Sequence, residues 1–204
     1  MASSSASPPP PSPGPGHVIP DNAIFVTDKC YCRPYLETDA EPSALLADDP
    51  AIARWMREAF PQPYTTADAQ RWIATSLAES PMLNFAVVAL DGTYVGGIGL
   101  KPRVDVERRT KELGYWLGRP HWGRGIATSA ARGMARWAFD QFPDLLRLEA
   151  QAAAANAASC AVLAKAGFQL EGTLRQAAVK NGEIMDMNVY GLLRRDFEAG
   201  AAAS

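Results

Sequence analysis

The feature that most constrains the fold is a strand, a tight turn and a helix that follow one another within residues 111–128. Leu113, Tyr115 and Leu117 alternate with other residues, which is the period-two pattern of a strand. Gly118 and Pro120 then end that pattern. Beyond them, apolar residues recur at helical spacing, at Ile126, Ala130, Met134 and Trp137. The segment therefore predicts a helix that opens directly after a strand and a turn.

Two glycines, Gly123 and Gly125, stand where this helix opens. The first N–H groups of a helix have no acceptor within the helix, and glycine has no side chain to keep a ligand away from them. Such a helix start favours an anion and suits a bound pyrophosphate. A G-x-G pattern alone is weak evidence, because glycine often only makes a turn.

A second segment adds to the first. Residues 156–168 read N-x-x-S-x-x-x-L-x-K-x-G-F and predict a helix that ends in Gly167 just before a new strand. Together with the W-G-R-G-I-A run at residues 122–127, this segment resembles the GCN5-related N-acetyltransferase (GNAT) family. More narrowly, it is similar to the branch of the ribosomal-protein alanine N-acetyltransferases (RimJ/RimL-like). The resemblance covers roughly residues 32–195.

The resemblance implies an α+β fold of the α/β/α kind. Its central sheet is mixed and mostly antiparallel, and a parallel pair of strands splays apart at the acetyl-CoA site. Here that pair corresponds to residues 111–117 and 145–151. The order of elements read from the sequence also indicates α+β character, with one parallel crossover at the proposed ligand site.

The resemblance also implies acetyl-CoA as co-substrate, with its pyrophosphate at the W-G-R-G-I-A loop and its pantetheine arm beside the helix that Asn156 opens. The broad family signature Q/R-x-x-G-x-G/A has Gln or Arg where this chain has Trp122. Trp is common in this branch, so we expect the phosphate contacts made by the backbone to persist. The implied cofactor-binding residues are Leu117, Gly118, Trp122, Gly123, Arg124, Gly125, Ile126, Ala127, Thr128, Asn156 and Ser159.

Acetyl transfer from a thioester to an amine needs a neutral amine, close orientation, a polarised carbonyl and a proton for the departing thiolate. Glu112 stands where the family often places its general base, and its strand neighbours are largely apolar. Partial desolvation would make this carboxylate more basic. A surface or salt-bridged glutamate explains the residue equally well. Glu149 is the second candidate and Glu171 the third.

Ser159 is the second catalytic candidate, because it matches a serine that relatives of this branch place near the thiol. It would donate a proton or hold a water molecule, although packing on a helix face is an equally good account. Many relatives carry a tyrosine at the position of Leu163, so the acid remains open. Cys160 lies within the helix pattern without a partner nearby in sequence, and we interpret it as a packing residue rather than a nucleophile.

A chain of 204 residues suits one domain, which we place at residues 21–198. Residues 1–20 are rich in Pro, Ser and Ala and offer almost no large apolar side chain, so we expect a disordered tail without a core partner. A proline-rich ligand for another domain is a minor alternative. Residues 199–204 are expected to fray.

The formal net charge of −2 gives no global attraction to nucleic acid or to an anionic membrane. No apolar run approaches the ~20 residues of a membrane span. Cys30 and Cys32, two apart on a predicted strand at residues 24–33, point the same way. With Cys160 and two histidines they fall short of a four-ligand zinc site, so we predict no metal and a cytoplasmic protein.

The first third of the chain predicts several short helices. Thr38 is a candidate cap for one helix, and Asp49 before Pro50 begins another. Thr65 and Asp68 form a capping-box variant, whose helix is expected to bury Trp72, Ile73 and Leu77. The resemblance places this region over the acceptor end of the cleft. Tyr64 is therefore a candidate for the acceptor pocket, with loop packing as the alternative.

Two hairpins are predicted. Asp91-Gly92 predicts a type I′ turn between strands at residues 84–90 and 93–100, and Asn181-Gly182 predicts a turn in the closing hairpin. Gly96, Gly97 and Gly99 within the second strand indicate a bulge or a close backbone approach. The charged residues 101–110 are interpreted as a solvated hairpin tip.

Three functions compete, and an acetyl-CoA-dependent N-acetyltransferase that transfers acetyl directly to a primary amine is favoured. Gly123-x-Gly125-x-x-Thr128 followed by Glu149 imitates the fingerprint of a dinucleotide-binding oxidoreductase, but the third glycine is replaced by Thr128. A non-catalytic acyl-CoA-binding module is the third possibility. The acceptor stays open between a protein N-terminus, a sugar amine, a polyamine, and an antibiotic or toxin. The oligomeric state is also left open.

Overall fold

The structure is a computed structural model that describes residues 17–202. Eight strands of this part form one sheet: β1 (Phe25–Val26), β2 (Cys30–Arg33), β3 (Asn84–Ala89), β4 (Tyr94–Pro102), β5 (Thr110–Leu117), β6 (Arg147–Ala153), β7 (Gln169–Lys180) and β8 (Glu183–Leu193). The order across the sheet is β1-β2-β3-β4-β5-β6-β8-β7. Every neighbouring pair is antiparallel except β5 and β6, which are parallel. The predicted α+β fold is thus confirmed.

Six α-helices cover this sheet within the described residues: α1 (Ala40–Ala47), α2 (Pro50–Ala53), α3 (Thr66–Ala78), α4 (Ile126–Gln141), α5 (Ala157–Lys165) and α6 (Arg194–Ala202). Single 3-10 turns lie at Glu37–Asp39, Asp105–Glu107 and Arg119–His121. A doubly wound dinucleotide-binding fold needs several parallel βαβ units. One parallel strand pair in the described sheet contradicts the oxidoreductase alternative.

The buried residues form one cluster on each face of the sheet. Residues of α4 and α5 pack on one face with Leu113 and Leu117 of β5. Residues of α1 and α3 pack on the other face, where Trp116 joins them. Because strand residues alternate between faces, β5 presents Tyr115 to the α5 side and Trp116 to the α3 side. The two faces of this one strand therefore serve different parts of the molecule.

Several local predictions are confirmed by the structure. The side chain of Asp49 accepts a hydrogen bond from the backbone N–H of Ala51 and caps α2. Thr65 and Asp68 form the predicted capping box at the start of α3. Both residues of the Asn181-Gly182 turn have positive φ, as a type I′ turn requires.

The glycines of β4 allow the predicted close approach. A Cβ at Gly96 would collide with the carbonyl oxygen of Trp116, and a Cβ at Gly97 would collide with the hydroxyl of Tyr35. The ladder between β3 and β4 also shifts register between Val87 and Val88. The bulge and the close packing predicted from these glycines are both present.

The first predicted strand is wrong in its centre. The structure has two short strands, β1 and β2, because the Thr27 hydroxyl binds the carbonyl oxygen of Cys30 at 2.8 Å and turns the chain. Cys30 and Cys32 do share one buried face, as predicted. The second strand of the predicted splayed pair is also offset, since β6 runs from Arg147 to Ala153 rather than over residues 145–151. We call the opening between β5 and β6 the fork, and these two strands the fork strands.

Three local predictions, on a helix cap, on buried side chains and on a turn type, are also wrong. Thr38 caps no helix; Asp39 precedes α1, and its carboxylate binds Arg33 and the backbone N–H of Leu36 at 2.8 Å. Trp72 and Leu77 of α3 are 42% and 41% exposed, because they flank the buried stripe of Ala69, Ile73 and Ser76 on opposite sides of the helix. In the β3–β4 turn only Gly92 has a positive φ, so the type I′ assignment fails although the hairpin exists.

The two chain ends extend the domain. His17 donates or accepts a hydrogen bond with the hydroxyl of Tyr31 at 2.8 Å, and Ile19 packs against the buried cluster on that face. Residues 17–20 of the expected tail therefore have partners, whereas residues 1–16 lie outside the described residues. At the other end, α6 continues to Ala202, where a frayed end is predicted, and residues 203–204 are outside the described part.

Candidate active site

One cleft of about 1490 Å³ is lined by residues of β5 and β6 and of the helices α4 and α5. It runs from the N-terminus of α4, past β5, β6 and α5, to the loop that follows α2. Most of the residues predicted for the site line it. The site residues predicted from sequence that line it are Glu112, Leu117, Trp122, Gly123, Gly125, Ile126, Ala127, Thr128, Asn156 and Ser159.

The fork between β5 and β6 opens at a defined point. The two strands pair only from Thr110–Arg147 to Glu112–Glu149, and residues 113–117 and 150–153 then line the cleft. Backbone N–H and C=O groups along diverging strands need partners. An extended ligand with amide groups can supply such partners by the same hydrogen bonds that add a strand to a sheet.

The loop before α4 is shaped for an anion. Gly123 and Gly125 have φ values of 73° and 79°, and a Cβ at either position would meet no atom within 4 Å. Gly125 is the residue before the 16-residue helix α4, so its surroundings combine open space with unpaired helix N–H groups. The residues present therefore fit the pyrophosphate group that the sequence motif predicts.

The departure at Trp122 has a structural explanation. Its indole N–H donates a hydrogen bond to the carbonyl oxygen of Leu117 at 2.7 Å. This contact closes the loop between the end of β5 and the start of α4. A nearby histidine, His121, has a lowered pKa because it is partly buried and lies near Arg124. The loop is therefore held by Trp122 while its backbone remains available.

Asn156 and Ser159 lie at the start of α5. The side-chain oxygen of Asn156 accepts a hydrogen bond from the backbone N–H of Ser159 at 3.1 Å, which confirms the predicted N-cap. The Ser159 hydroxyl lies 2.8 Å from the hydroxyl of Tyr115, which reaches α5 from β5. Burial raises the pKa of Tyr115 to about 12. Sequence patterning placed Tyr115 on the right face of β5 but gave it no role.

A row of alternating charges crosses the sheet at the base of the fork, on the same face as Trp116. Arg57 contacts Glu112, and Arg103 lies between Glu112, at 3.5 Å, and Glu149, whose Oε1 accepts from Arg103 Nε at 2.7 Å. Beyond Glu149 the ladder continues through Arg147, which donates to Glu171 at 2.6 Å. We call this set the charge ladder: Arg57, Glu112, Arg103, Glu149, Arg147 and Glu171.

The charge ladder corrects two expectations. Glu112 does not lie in apolar surroundings, because two guanidinium groups contact its carboxylate, whose side chain is only 11% exposed. Arg103 belongs to the loop interpreted as a solvated tip, yet it folds back onto Glu149. Hydrogen bonds from Arg147 also lower the pKa of Glu171. Glu112 is thus both salt-bridged and part of the cleft wall.

The end of the cleft beside the loop after α2 is largely aromatic. Its wall residues include Trp55, Met56, Phe60, Tyr64, Trp72 and Trp116. The rings of Phe60 and Tyr64 lie 4.7 Å apart, and burial raises the pKa of Tyr64. Tyr64 therefore packs the loop and lines the cleft at the same time, so its two interpretations do not exclude each other.

The loop after α2 is bound to the turn of the β7–β8 hairpin. The buried Lys180, at the end of β7, donates a hydrogen bond to the carbonyl oxygen of Arg57 at 3.3 Å. Arg54 donates to Glu183 of β8 at 2.8 Å. Sequence reasoning missed these residues, because the partners lie far apart along the chain.

The remaining candidates have no visible catalytic arrangement. Cys160 is partly buried, packs against the core and lies 3.5 Å from the Asn188 amide, consistent with a packing role. Arg124 is exposed at the start of α4, and neither Arg124 nor Gly118 lines the cleft.

Within residues 17–202, no group of three or more His, Cys, Asp or Glu side chains is placed to hold a metal ion. None of the helices described there combines the length and apolar character needed to cross a bilayer.

Comparison with known proteins gives one consistent family. A family model described as "Acetyltransferase (GNAT) domain" matches residues 31–169. "Probable N-acetyltransferase YjcK" of Bacillus subtilis (strain 168) is 32% identical over 180 residues, which cover 82% of this chain and 96% of that protein. "Ribosomal-protein-serine acetyltransferase" of Escherichia coli (strain K12) is 34% identical over 88 residues, which cover 43% of this chain and 49% of that protein.

A solved structure shows the same fold. It is described as "RimL- Ribosomal L7/L12 alpha-N-protein acetyltransferase in complex with Coenzyme A" and matches with a TM-score of 0.73 at 20% identity. The match covers 84% of this chain and 97% of that chain.

Proposed function

The chain belongs to the GNAT acetyltransferase family and is an acetyl-CoA-dependent N-acetyltransferase, and from that premise we propose which residues bind the substrates and transfer the acetyl group. The observation that carries the proposal is that one cleft is lined by the start of α4, by the fork between β5 and β6 and by the buried carboxylate of Glu112. The transfer is direct, because an amine can attack a thioester without a covalent enzyme intermediate.

Acetyl-CoA binds with its pyrophosphate at Gly123, Gly125 and the first residues of α4, and with its pantetheine arm in the fork. The backbone N–H groups of the glycine loop suit phosphate oxygens, and Arg124 adds positive charge beside them. Asn156 lines the cleft at the start of α5, and we assign its side-chain amide to the amides of the arm. This assignment brings the thioester to the fork, beside Ser159 and close to Glu112.

Glu112 is the general base. Its carboxylate lies at the last β5–β6 pair and lines the cleft at the acceptor side. Arg57, whose side chain is 62% exposed, has room to move aside when an ammonium group of the acceptor takes its place at Glu112. Glu112 then accepts the proton that the amine loses, directly or through water. Glu149 is the alternative base, since it pairs with Glu112 across the fork.

Ser159 assists the leaving group. Ser159 lines the cleft on α5, where the proposed binding mode puts the arm of acetyl-CoA. A hydroxyl that donates a hydrogen bond to the sulfur stabilises the charge that develops as the C–S bond breaks. The structure gives Ser159 a defined hydrogen-bond partner in Tyr115, which supports a role beyond helix packing.

The acceptor is the α-amine of a protein or peptide. Two names support a protein acceptor: one relative is a ribosomal-protein-serine acetyltransferase, and one protein of the same fold is an alpha-N-protein acetyltransferase of ribosomal L7/L12. The aromatic wall around Phe60 and Trp116 suits a peptide whose side chains are partly apolar. We place the reaction in the cytoplasm, because the name of one relative makes a ribosomal protein its substrate.

A screen for free CoA tests this function. Acetyl-CoA is mixed with peptides that have a free N-terminus, with the same peptides already N-acetylated, and with small amines such as polyamines and amino sugars. We expect thiol release only with free N-terminal amines. Release with small amines alone would reject the protein acceptor, and tight CoA binding without release from any amine would indicate a non-catalytic acyl-CoA-binding module.

A further inference from the structure

The hydroxyl of Tyr115 has two possible acceptors on one residue. It lies 2.8 Å from the Ser159 hydroxyl oxygen and 3.3 Å from the Ser159 carbonyl oxygen. Each of the two hydroxyl groups carries a single hydrogen, so the direction of the shorter hydrogen bond decides where the serine hydrogen points. If Tyr115 donates to the serine oxygen, the serine hydrogen is free to point into the cleft.

Both members of this pair are held rigidly. Tyr115 lies on β5 between Leu113 and Leu117, and its ring packs against the core on the α5 side. Ser159 lies in the first turn of α5, where its backbone N–H is bound by the capping side chain of Asn156. The hydroxyl pair therefore joins β5, one strand of the fork, to the start of α5, and both residues line the cleft.

We propose that Tyr115 is a positioning residue that donates its hydroxyl hydrogen to Ser159 and thereby directs the serine hydrogen toward the leaving sulfur. This inference rests on the proposed function, because it acts through Ser159. Tyr115 itself does not touch the reacting atoms. Burial raises the pKa of Tyr115 to about 12, so the phenol keeps its hydrogen at neutral pH and remains a donor.

The proton balance of the step follows from this arrangement. The amine nitrogen bonds to the acetyl carbon, the C–S bond breaks, and its electron pair moves to the sulfur. Ser159 donates a hydrogen bond to the developing thiolate. The amine's proton passes to Glu112 and, through water in the cleft, to the sulfur. Serine and tyrosine both end the step in the state in which they began it.

The alternative direction predicts a different result. If Tyr115 donated to the carbonyl oxygen of Ser159, the serine hydroxyl would donate to Tyr115 and its hydrogen would point away from the sulfur. Removing the tyrosine hydroxyl would then free the serine hydrogen, and turnover would stay the same or increase. The sign of the change in kcat thus distinguishes the two arrangements.

The test uses Tyr115→Phe, Ser159→Ala and the double variant, with free CoA measured on the acceptor that the screen identifies. Tyr94→Phe is the matched control, because Tyr94 is also buried and its hydroxyl binds Ser43 at 3.3 Å on the other face of the sheet. We expect Tyr115→Phe to lower kcat about 10-fold, the effect of one lost hydrogen bond in the transition state. The KM for acetyl-CoA, the Kd for CoA and the melting temperature should stay close to those of the parent.

The double variant decides whether Tyr115 acts through Ser159. We expect it to be as slow as Ser159→Ala and no slower, because a positioning residue has nothing left to position. A parental or raised kcat in Tyr115→Phe, multiplied losses in the double variant, or an equal loss of CoA affinity would overturn the inference. A parental rate in Ser159→Ala would instead reject the serine assignment in the proposed function, and the inference with it.

Discussion

At the scale of single residues, Glu112 shows that the sequence neighbours of a strand residue do not describe its surroundings. Its neighbour Leu113 points to the opposite face of β5, so the apolar character of the flanking sequence describes the wrong face. The groups that contact Glu112 are Arg57, from the loop after α2, and Arg103, from the loop between β4 and β5 that folds back onto the sheet. The environment of this carboxylate is therefore a tertiary property.

Replacing Glu112 by Gln tests the base. Glutamine keeps the shape of the side chain but cannot accept the proton of the amine, so we expect kcat to fall ~10²–10⁴-fold. The KM for acetyl-CoA should change little, because the lost interaction is made in the transition state. Steady-state kinetics of Glu112→Gln and Glu149→Gln are compared. A parental rate for Glu112→Gln together with a slow Glu149→Gln would move the role to Glu149.

At the scale of elements, the site lies where α4 begins and where β5 and β6 separate. The helix start supplies N–H groups, and the fork supplies strand edges that ordinary sheets keep paired. The loop after α2 closes the acceptor end because Lys180 and Glu183 of the β7–β8 hairpin hold it. Binding of the two substrates thus depends on different elements.

Gly125→Val tests the helix start as the phosphate site. Binding of acetyl-CoA to the folded state raises the melting temperature by mass action, and a side chain above the helix start should abolish this rise. Valine at a φ of 79° also strains the backbone. Gly182→Val is the matched control, because Gly182 has the same φ of 79° and equally open space but lies in the β7–β8 turn.

We expect Gly182→Val to keep the full acetyl-CoA shift at whatever melting temperature its strain allows. Differential scanning fluorimetry with and without acetyl-CoA measures both variants. A full shift in Gly125→Val would show that the phosphates bind elsewhere.

At the scale of the whole molecule, the described domain begins before the boundary predicted from composition. The His17 ring stacks on Tyr31 at a centroid distance of 5.7 Å and lies over Gly92, while Ile19 packs against the cluster on the α3 side. These contacts join the start of the described chain to β2 and to the β3–β4 turn. Residues 17–20 are therefore part of the domain rather than of a tail.

Truncation tests this boundary. A chain that starts at Asp21 loses one hydrogen bond and the burial of Ile19, together about 1–2 kcal/mol. For a domain of this size that loss corresponds to a melting temperature lower by about 2–8 °C. A chain that starts at His17 should melt like the full chain. Calorimetry of the three chains gives the answer, and equal melting temperatures for all of them would show that residues 17–20 add no stability.

The sequence by itself determined the features that depend on neighbours along the chain. The strand, turn and helix around Gly125, the capping box of Thr65 and Asp68, the Asn156 cap and the Asn181-Gly182 turn all arise within a few residues. Their hydrogen bonds and backbone angles follow from local residue types, so a pattern is enough to predict them. The family motifs in these segments also gave the fold and the co-substrate.

The tertiary structure alone decided which side chains meet in the cleft. Tyr115 and Ser159 lie 44 residues apart in sequence, Arg103 and Glu149 lie 46 apart, and Arg57 and Glu112 lie 55 apart. No local pattern encodes such pairs, because sheet order and the fold-back of loops bring them together. A buried charge is costly without a partner of opposite charge, and only folding brings such partners from distant parts of the chain into contact.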